Sequence, residues 1–330
     1  MLRRLLKKLL RRIRKKFFNV PEPNVAASDP PPVNHSNKPE TQFNPNPQCE
    51  AENHEPNHHH EPNHHHGIHH HEPILPYWQP HFDPSIPTHT YFEQETGAHG
   101  WGNNEAQMYT QNLANSFFTS DNKLVVRAIS QPDAAENKYT SARLVSRQTL
   151  ARDRGCVTAS LTAPSAPGIW PAFWMLPAKP STWPVDGEVD ICELWNGNAI
   201  NHSCVHWGHY NDQDKEKHRV IETTMNAPTA LHQYSFVWEQ APGGVGGRML
   251  WYIDECPVMR ASIPDGIRPM RDFQIILNVA MGGNVCQDRL PAEGVYDLVV
   301  HDLKLMDEPQ GGWAVFNRDW ECTVEGHPMA

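Results

Sequence analysis

From Tyr91 to Met306 the sequence is a succession of short runs rich in β-branched and aromatic residues, each closed by Gly, Pro, Asn or Asp, with no long helical period. LVVRAI (124–129), YTSARLVSR (139–147), GCVTASLTA (155–163), EVDICELW (188–195), YSFVWEQ (234–240), MLWYIDE (249–255), FQIILNVAM (273–281) and YDLVVHDLKLM (296–306) all read as strands. Many short strands with turn signals between them predict an all-β chain, an antiparallel sandwich or barrel. Ten of the 11 tryptophans follow residue 100, so the core is built from this part of the chain. Proline cannot donate to a ladder, so GIWPAFWMLP (168–177) is expected to be an edge or bent strand.

The first 90 residues obey other rules. In residues 1–19, Leu2, Leu5, Leu6, Leu9, Leu10, Ile13 and Phe17 fall at helical spacing opposite nine Lys/Arg, with no acid. That pattern predicts a basic amphipathic helix suited to an anionic membrane surface. It lacks the unbroken apolar stretch of about 7–15 residues found in a secretory signal. Residues 20–87 are rich in Pro, Asn, His and Glu and include the imperfect repeat EPNHHHEPNHHHGIHHHEP (55–73), which predicts a disordered linker. Histidine clusters can take zinc, copper or nickel, but the composition is that of a polar tether. Residues 88–330 are then expected to form the folded domain.

Net charge is −10, yet removing the basic segment leaves 19 Lys/Arg against 38 Asp/Glu. Such a body repels nucleic acid and sulfated polysaccharide and favours a neutral partner. The seven cysteines (Cys49, Cys156, Cys192, Cys204, Cys256, Cys286, Cys322) contain no CxxC pair, which excludes an obvious zinc ribbon and sets no disulfide framework.

Chemistry concentrates in DGEVDICELWN (186–196). Glu188 and Asp190 share one face of a strand, whereas Glu193, five residues from Glu188, would point the other way on an ideal pleat. A one-residue bulge between Asp190 and Glu193 restores it to their face. The two glutamates then stand about 13 Å apart at Cα, and leaning inward leaves about 5 Å between carboxyls. That is the separation of a retaining glycosidase; an inverting one needs about 6.5–9.5 Å. Asp190 would lie between them and share a hydrogen bond with one glutamate, and the crowding should force their protonation apart. A solvated acidic face or a cation site formed by three carboxylates fits the same residues.

The run resembles the active-site strand of glycoside hydrolase family 16, in the E-x-D-x-x-E form of laminarinase-like members. GWGNNEAQMYT (100–110), YTSARLVSR, GIWPAFWMLP, VHWG (205–208), LWYIDE (250–255) and ILNVAMGGN (276–284) follow in the family's order. The resemblance implies a concanavalin A-like β-jelly-roll sandwich with a sugar cleft. It implies Glu188 as nucleophile, Glu193 as general acid/base and Asp190 as the supporting acid. Asn104 and Arg143 are then expected to donate to sugar hydroxyls, Trp174 and Trp183 to be platforms for pyranose faces, and His206 to be a polar contact near the acid/base. No cofactor or metal is implied. Trp207 stands where the family more often has Tyr, and Val285 and Cys286 stand where many members carry Trp.

The implied activity is endo-hydrolysis of neutral β-1,3 or mixed β-1,3/1,4 glucan with retention, with transglycosylation or non-hydrolytic glucan binding as rivals. The family's substrates imply an extracellular or cell-peripheral location. The segment after Asp307 is expected to be an arm packing Trp313 and Trp320 on the domain.

Overall fold

In Leu124–Ser130 the side chains of Leu124, Val126 and Ala128 are fully buried, while the alternate Arg127 reaches across to Asp297 at 2.7 Å. This period-2 alternation makes one face of a strand core and the other surface. The computed structural model describes residues 75–329, apart from 210, 212 and 242. The expected basic helix, and the linker up to residue 74, lie outside the described residues. No described helix is long and apolar enough to cross a membrane.

The strands form two sheets. One, here the site sheet, runs in the order Phe92–Glu95, Arg143–Thr149, Phe273–Met281, Ile169–Pro177, Glu188–Glu193, Ile200–His206, Arg219–Thr224 and His327–Pro328. The back sheet runs Cys256–Ser262, Gly247–Ile253, Leu231–Gln240, Arg154–Thr162, Gly294–Met306, Leu124–Ser130, Tyr139–Ser141 and Met108–Tyr109, with Ser116–Phe118 beside Leu124–Ser130. Between them lie Phe173, Val189, Ile191 and Leu277 from the first and Phe236, Trp238 and Trp251 from the second. Burial of such aromatics dominates the stability of a sandwich core. The expected all-β jelly-roll architecture is therefore present.

Three expectations need correction. Ile169–Pro177 is central in the site sheet, flanked by Phe273–Met281 and Glu188–Glu193. Pro171 is tolerated because pairing on the Glu188–Glu193 side ends at Ala172 opposite Glu193, and the Pro171 carbonyl accepts from Leu194 N beyond it. No ladder position there requires its missing donor. The run 139–147 is two strands, Tyr139–Ser141 in the back sheet and Arg143–Thr149 in the site sheet, with buried Ala142 at the crossover. The packed body also starts before residue 88. Phe82 is buried, Tyr77 and Trp78 pack on the core, and Trp78 bridges to Leu305.

The C-terminal arm packs as expected. Its helix, Gly312–Cys322, sets Phe316, Trp313 and Trp320 against Cys156, Val237, Leu250 and Tyr252 of the back sheet. The chain then turns to place His327–Pro328 on the edge of the site sheet beside Arg219 and Val220.

Candidate active site

Along the neighbouring strand, Trp174 stands opposite Asp190 but Phe173 stands opposite Cys192, so Ile191 is an extra residue. This is the bulge the acid spacing requires. Val189, Ile191 and Cys192 enter the core, while Glu188, Asp190 and Glu193 face a cleft of about 430 Å³. Arg143, Trp170, Trp174, Trp183, Trp195, Cys204, His206 and Asn278 share its walls.

Each acid has a distinct setting. Glu188 Oε2 accepts from the Trp183 indole at 3.0 Å, and its Oε1 is 4.0 Å from His206 Nε2. Glu193 Oε1 accepts from the Trp170 indole at 3.0 Å. The partner of Asp190 is His206, whose Nε2 lies 3.2 Å from Oδ2, in place of the glutamate expected; the acids that His206 meets are therefore Asp190 and Glu188, where a contact near Glu193 was expected. The other nitrogen of His206 faces Nδ1 of His218 at 2.9 Å.

Burial and the charge of Asp190 push Glu188 up to about 8, against the opposing pull of His206, Arg143 and the Trp183 N–H. Burial, Asp190 and Glu188 hold Glu193 well above the carboxylate range, and the indole of Trp170 opposes them. The groups that oppose the shift thus differ: the basic side chains of His206 and Arg143, with the Trp183 indole, act on Glu188, and the Trp170 indole acts on Glu193. The asymmetry favours ionisation of Glu188 before that of Glu193. Burial disfavours the charged form of His206, but its hydrogen bond to Asp190 and the two acids outweigh this and raise it. Burial and the neighbouring His206 lower His218 to about 4, consistent with a neutral acceptor for His206.

The remaining expected residues divide. Arg143 lines the cleft, with Nε 2.6 Å from Glu95 Oε2 and its guanidinium 4.6 Å from the centre of the Trp174 ring. It is therefore both the partner of an acid and a wall of the cleft. Trp174 is pinned by an indole hydrogen bond of 2.7 Å to Asn278 Oδ1, and Trp183 is half exposed at the rim. Asn104 is the exception. Its side chain donates to Asn284 Oδ1 at 2.9 Å, and the cleft is lined instead by its neighbours Asn103 and Glu105. The left-handed backbone of Asn104, at φ 55°, belongs to the turn that sets Asn103 in this position.

Sequence reasoning missed Trp170, Glu105, Asn278 and Trp195. Trp170 shares a strand face with Trp174, four residues on, and Asn278 is the polar interruption of an apolar strand; both signals were visible. Val285 lines the cleft where many relatives are expected to carry Trp, giving a smaller apolar surface there. Among the described residues, Asp190, Cys204 and His206 each bring one metal-ligating atom within 4.8 Å of the others. An ion there would displace the His206–Asp190 pairing.

Comparison with known proteins identifies the family. Residues 89–244 match the family model described as XgeA-like, catalytic GH16 domain. A beta-glucanase of Rhodothermus marinus is 30% identical over 243 residues, covering 67% of this chain and 82% of the relative. The X-ray structure of the laminarinase from Rhodothermus marinus superimposes with a TM-score of 0.57 at 27% identity, covering 71% of this chain and 97% of that one. That of the laminarinase from Flavobacterium sp. UMI-01 gives 0.57 at 26%, covering 70% and 100%. The fold and the acidic cleft define a glycoside hydrolase of the jelly-roll class. The chain belongs to glycoside hydrolase family 16.

Proposed function

We propose that this chain is an endo-acting retaining β-glucanase that hydrolyses β-1,3 or mixed β-1,3/1,4 glucan. The carrying observation is the bulged strand, which turns Glu188 and Glu193 to one cleft where His206 and Arg143 favour ionisation of Glu188. Glu193 protonates the glycosidic oxygen while ionised Glu188 attacks the anomeric carbon. Glu193, now a carboxylate, then takes a proton from the water that displaces Glu188, so two inversions give retention. His206 holds Asp190, and the pair sets the charge against which Glu188 ionises.

Trp174 and Trp183 offer apolar faces to pyranose rings, and Arg143 and Asn103 offer donors to hydroxyls. The acidic composition of the body supports a neutral glucan over a sulfated one. A binding-only role is disfavoured because the acid pair and its polar supports are complete. A polysaccharide substrate supports a location outside the cell or at its periphery, and the basic, acid-free composition of residues 1–19 supports attachment to an anionic surface. Proton NMR of freshly cleaved laminarin tests the mechanism: β-anomeric reducing ends should appear first, and α-anomers first would refute retention.

A further inference from the structure

We propose that Asn201 and Trp251 are positioning residues for the acid/base carboxylate of Glu193, acting through the backbone of the bulge; the inference rests on the glucanase reading above. A bulge removes backbone groups from the ladder, and buried N–H and C=O groups require partners. The strand Ile200–His206 pairs with the acidic strand only at Cys204 opposite Asp190, Val205 opposite Val189 and His206 opposite Glu188. Past Asp190 the regular pairing stops.

Side chains take over there. Asn201, 0% exposed, accepts from the Glu193 backbone N–H at 3.2 Å through Oδ1 and donates to Ile191 O at 3.3 Å through Nδ2. The same Nδ2 lies 3.2 Å from Ser203 Oγ, which limits rotation of the carboxamide. Trp251 of the back sheet, also 0% exposed, donates its indole N–H to Asp190 O at 2.8 Å, with its ring held edge-on to Phe236 at 4.9 Å. His202 Nδ1 is 3.4 Å from Glu193 O. The peptide groups on both sides of the extra residue are thus fixed from outside the strand.

The geometry matters because strand faces alternate. If the extra residue relaxed into a regular ladder, Glu193 would turn toward the core and Cys192 toward the cleft. Glu188 precedes the bulge in regular pairing with His206, so loosening the clamp spares the nucleophile. An acid/base misplaced by about 1 Å can lose about 10²-fold in rate, while attack by Glu188 on a substrate whose leaving group needs no proton continues.

The test uses Asn201→Leu and Trp251→Phe in the full chain, with thermal melts to verify folding. Two substrates are compared, laminarin and 2,4-dinitrophenyl β-laminaribioside. With the second, Glu188 forms its bond to the anomeric carbon as dinitrophenolate departs with the electron pair and no proton is required. Azide then attacks the anomeric carbon, releasing the Glu188 carboxylate and giving a β-glycosyl azide without general-base help. On laminarin kcat should fall about 10- to 100-fold, part of the 10²–10⁴ that general acid–base catalysis supplies, with KM nearly unchanged. The burst of dinitrophenolate should persist at a rate close to wild type, and azide should speed turnover.

Equal losses on both substrates, or undiminished laminarin hydrolysis in folded variants, would overturn the inference. Trp251→Phe keeps an aromatic ring in the core, so it carries the test should Asn201→Leu not fold. Wild-type protein that cleaves neither substrate would refute the glucanase reading itself, a result separable from the other two.

Discussion

Replacing Glu188 by glutamine keeps the shape of the side chain and removes its proton equilibrium. In the folded protein this carboxyl, with its side chain 14% exposed, is held up to about 8 by burial and by Asp190. In the unfolded chain it returns to 4.5. A folded-state value above the unfolded one contributes stability at low pH, which is lost as pH rises toward the folded value. At 1.36 kcal/mol per pH unit the interval from 4.5 to 8 amounts to about 5 kcal/mol, of which about 3–4 is lost between pH 5 and pH 8. Glutamine carries no such penalty. Urea unfolding of wild type and Glu188→Gln at pH 5 and pH 8 should therefore show a stability gain for the variant that grows by about 3–4 kcal/mol between the two. A gain of equal size at both pH values, or a loss that deepens with pH, would refute the reasoning.

Trp183→Phe removes the N–H that favours ionised Glu188, so the acid limb of the kcat/KM profile should move to higher pH; a profile recorded on laminarin checks it. Trp170→Phe removes the donor that opposes protonation of Glu193, so the alkaline limb should also move up, with reduced kcat. An alkaline limb left in place would contradict the role given to that indole. Phe316→Ala empties a fully buried site between the C-terminal helix and the back sheet. It should cost about 3–5 kcal/mol in urea unfolding, with kcat of the folded fraction unchanged.

Much of the site could be read from the spacing of three acids. A period-2 strand cannot put residues 188, 190 and 193 on one face without an extra residue, and the extra residue is Ile191. What holds the bulge could not be read. Asn201 lies on the inward face of a strand whose inward residues include Ser203, so the polar–apolar alternation that marks a strand is missing and Ile200–His206 was overlooked. Trp251 was legible as core, but its bond to Asp190 spans 61 residues of sequence and two sheets. Pro171 misled because a proline is read against an idealised central strand, and here the neighbouring strand ends one pair earlier. Tyr77, Trp78 and Phe82 were taken with the proline-rich segment around them, although three aromatics in six residues are enough to anchor it to a core.

The most direct measurement is reducing-sugar release from laminarin and from mixed-linkage β-1,3/1,4 glucan by wild type and Glu188→Gln. Release by the wild type on at least one glucan, falling by several orders of magnitude in a folded Glu188→Gln variant, is the outcome predicted for a retaining glucanase with this nucleophile. Wild-type protein that binds these glucans without releasing reducing ends, or a Glu188→Gln variant as active as wild type, would contradict it.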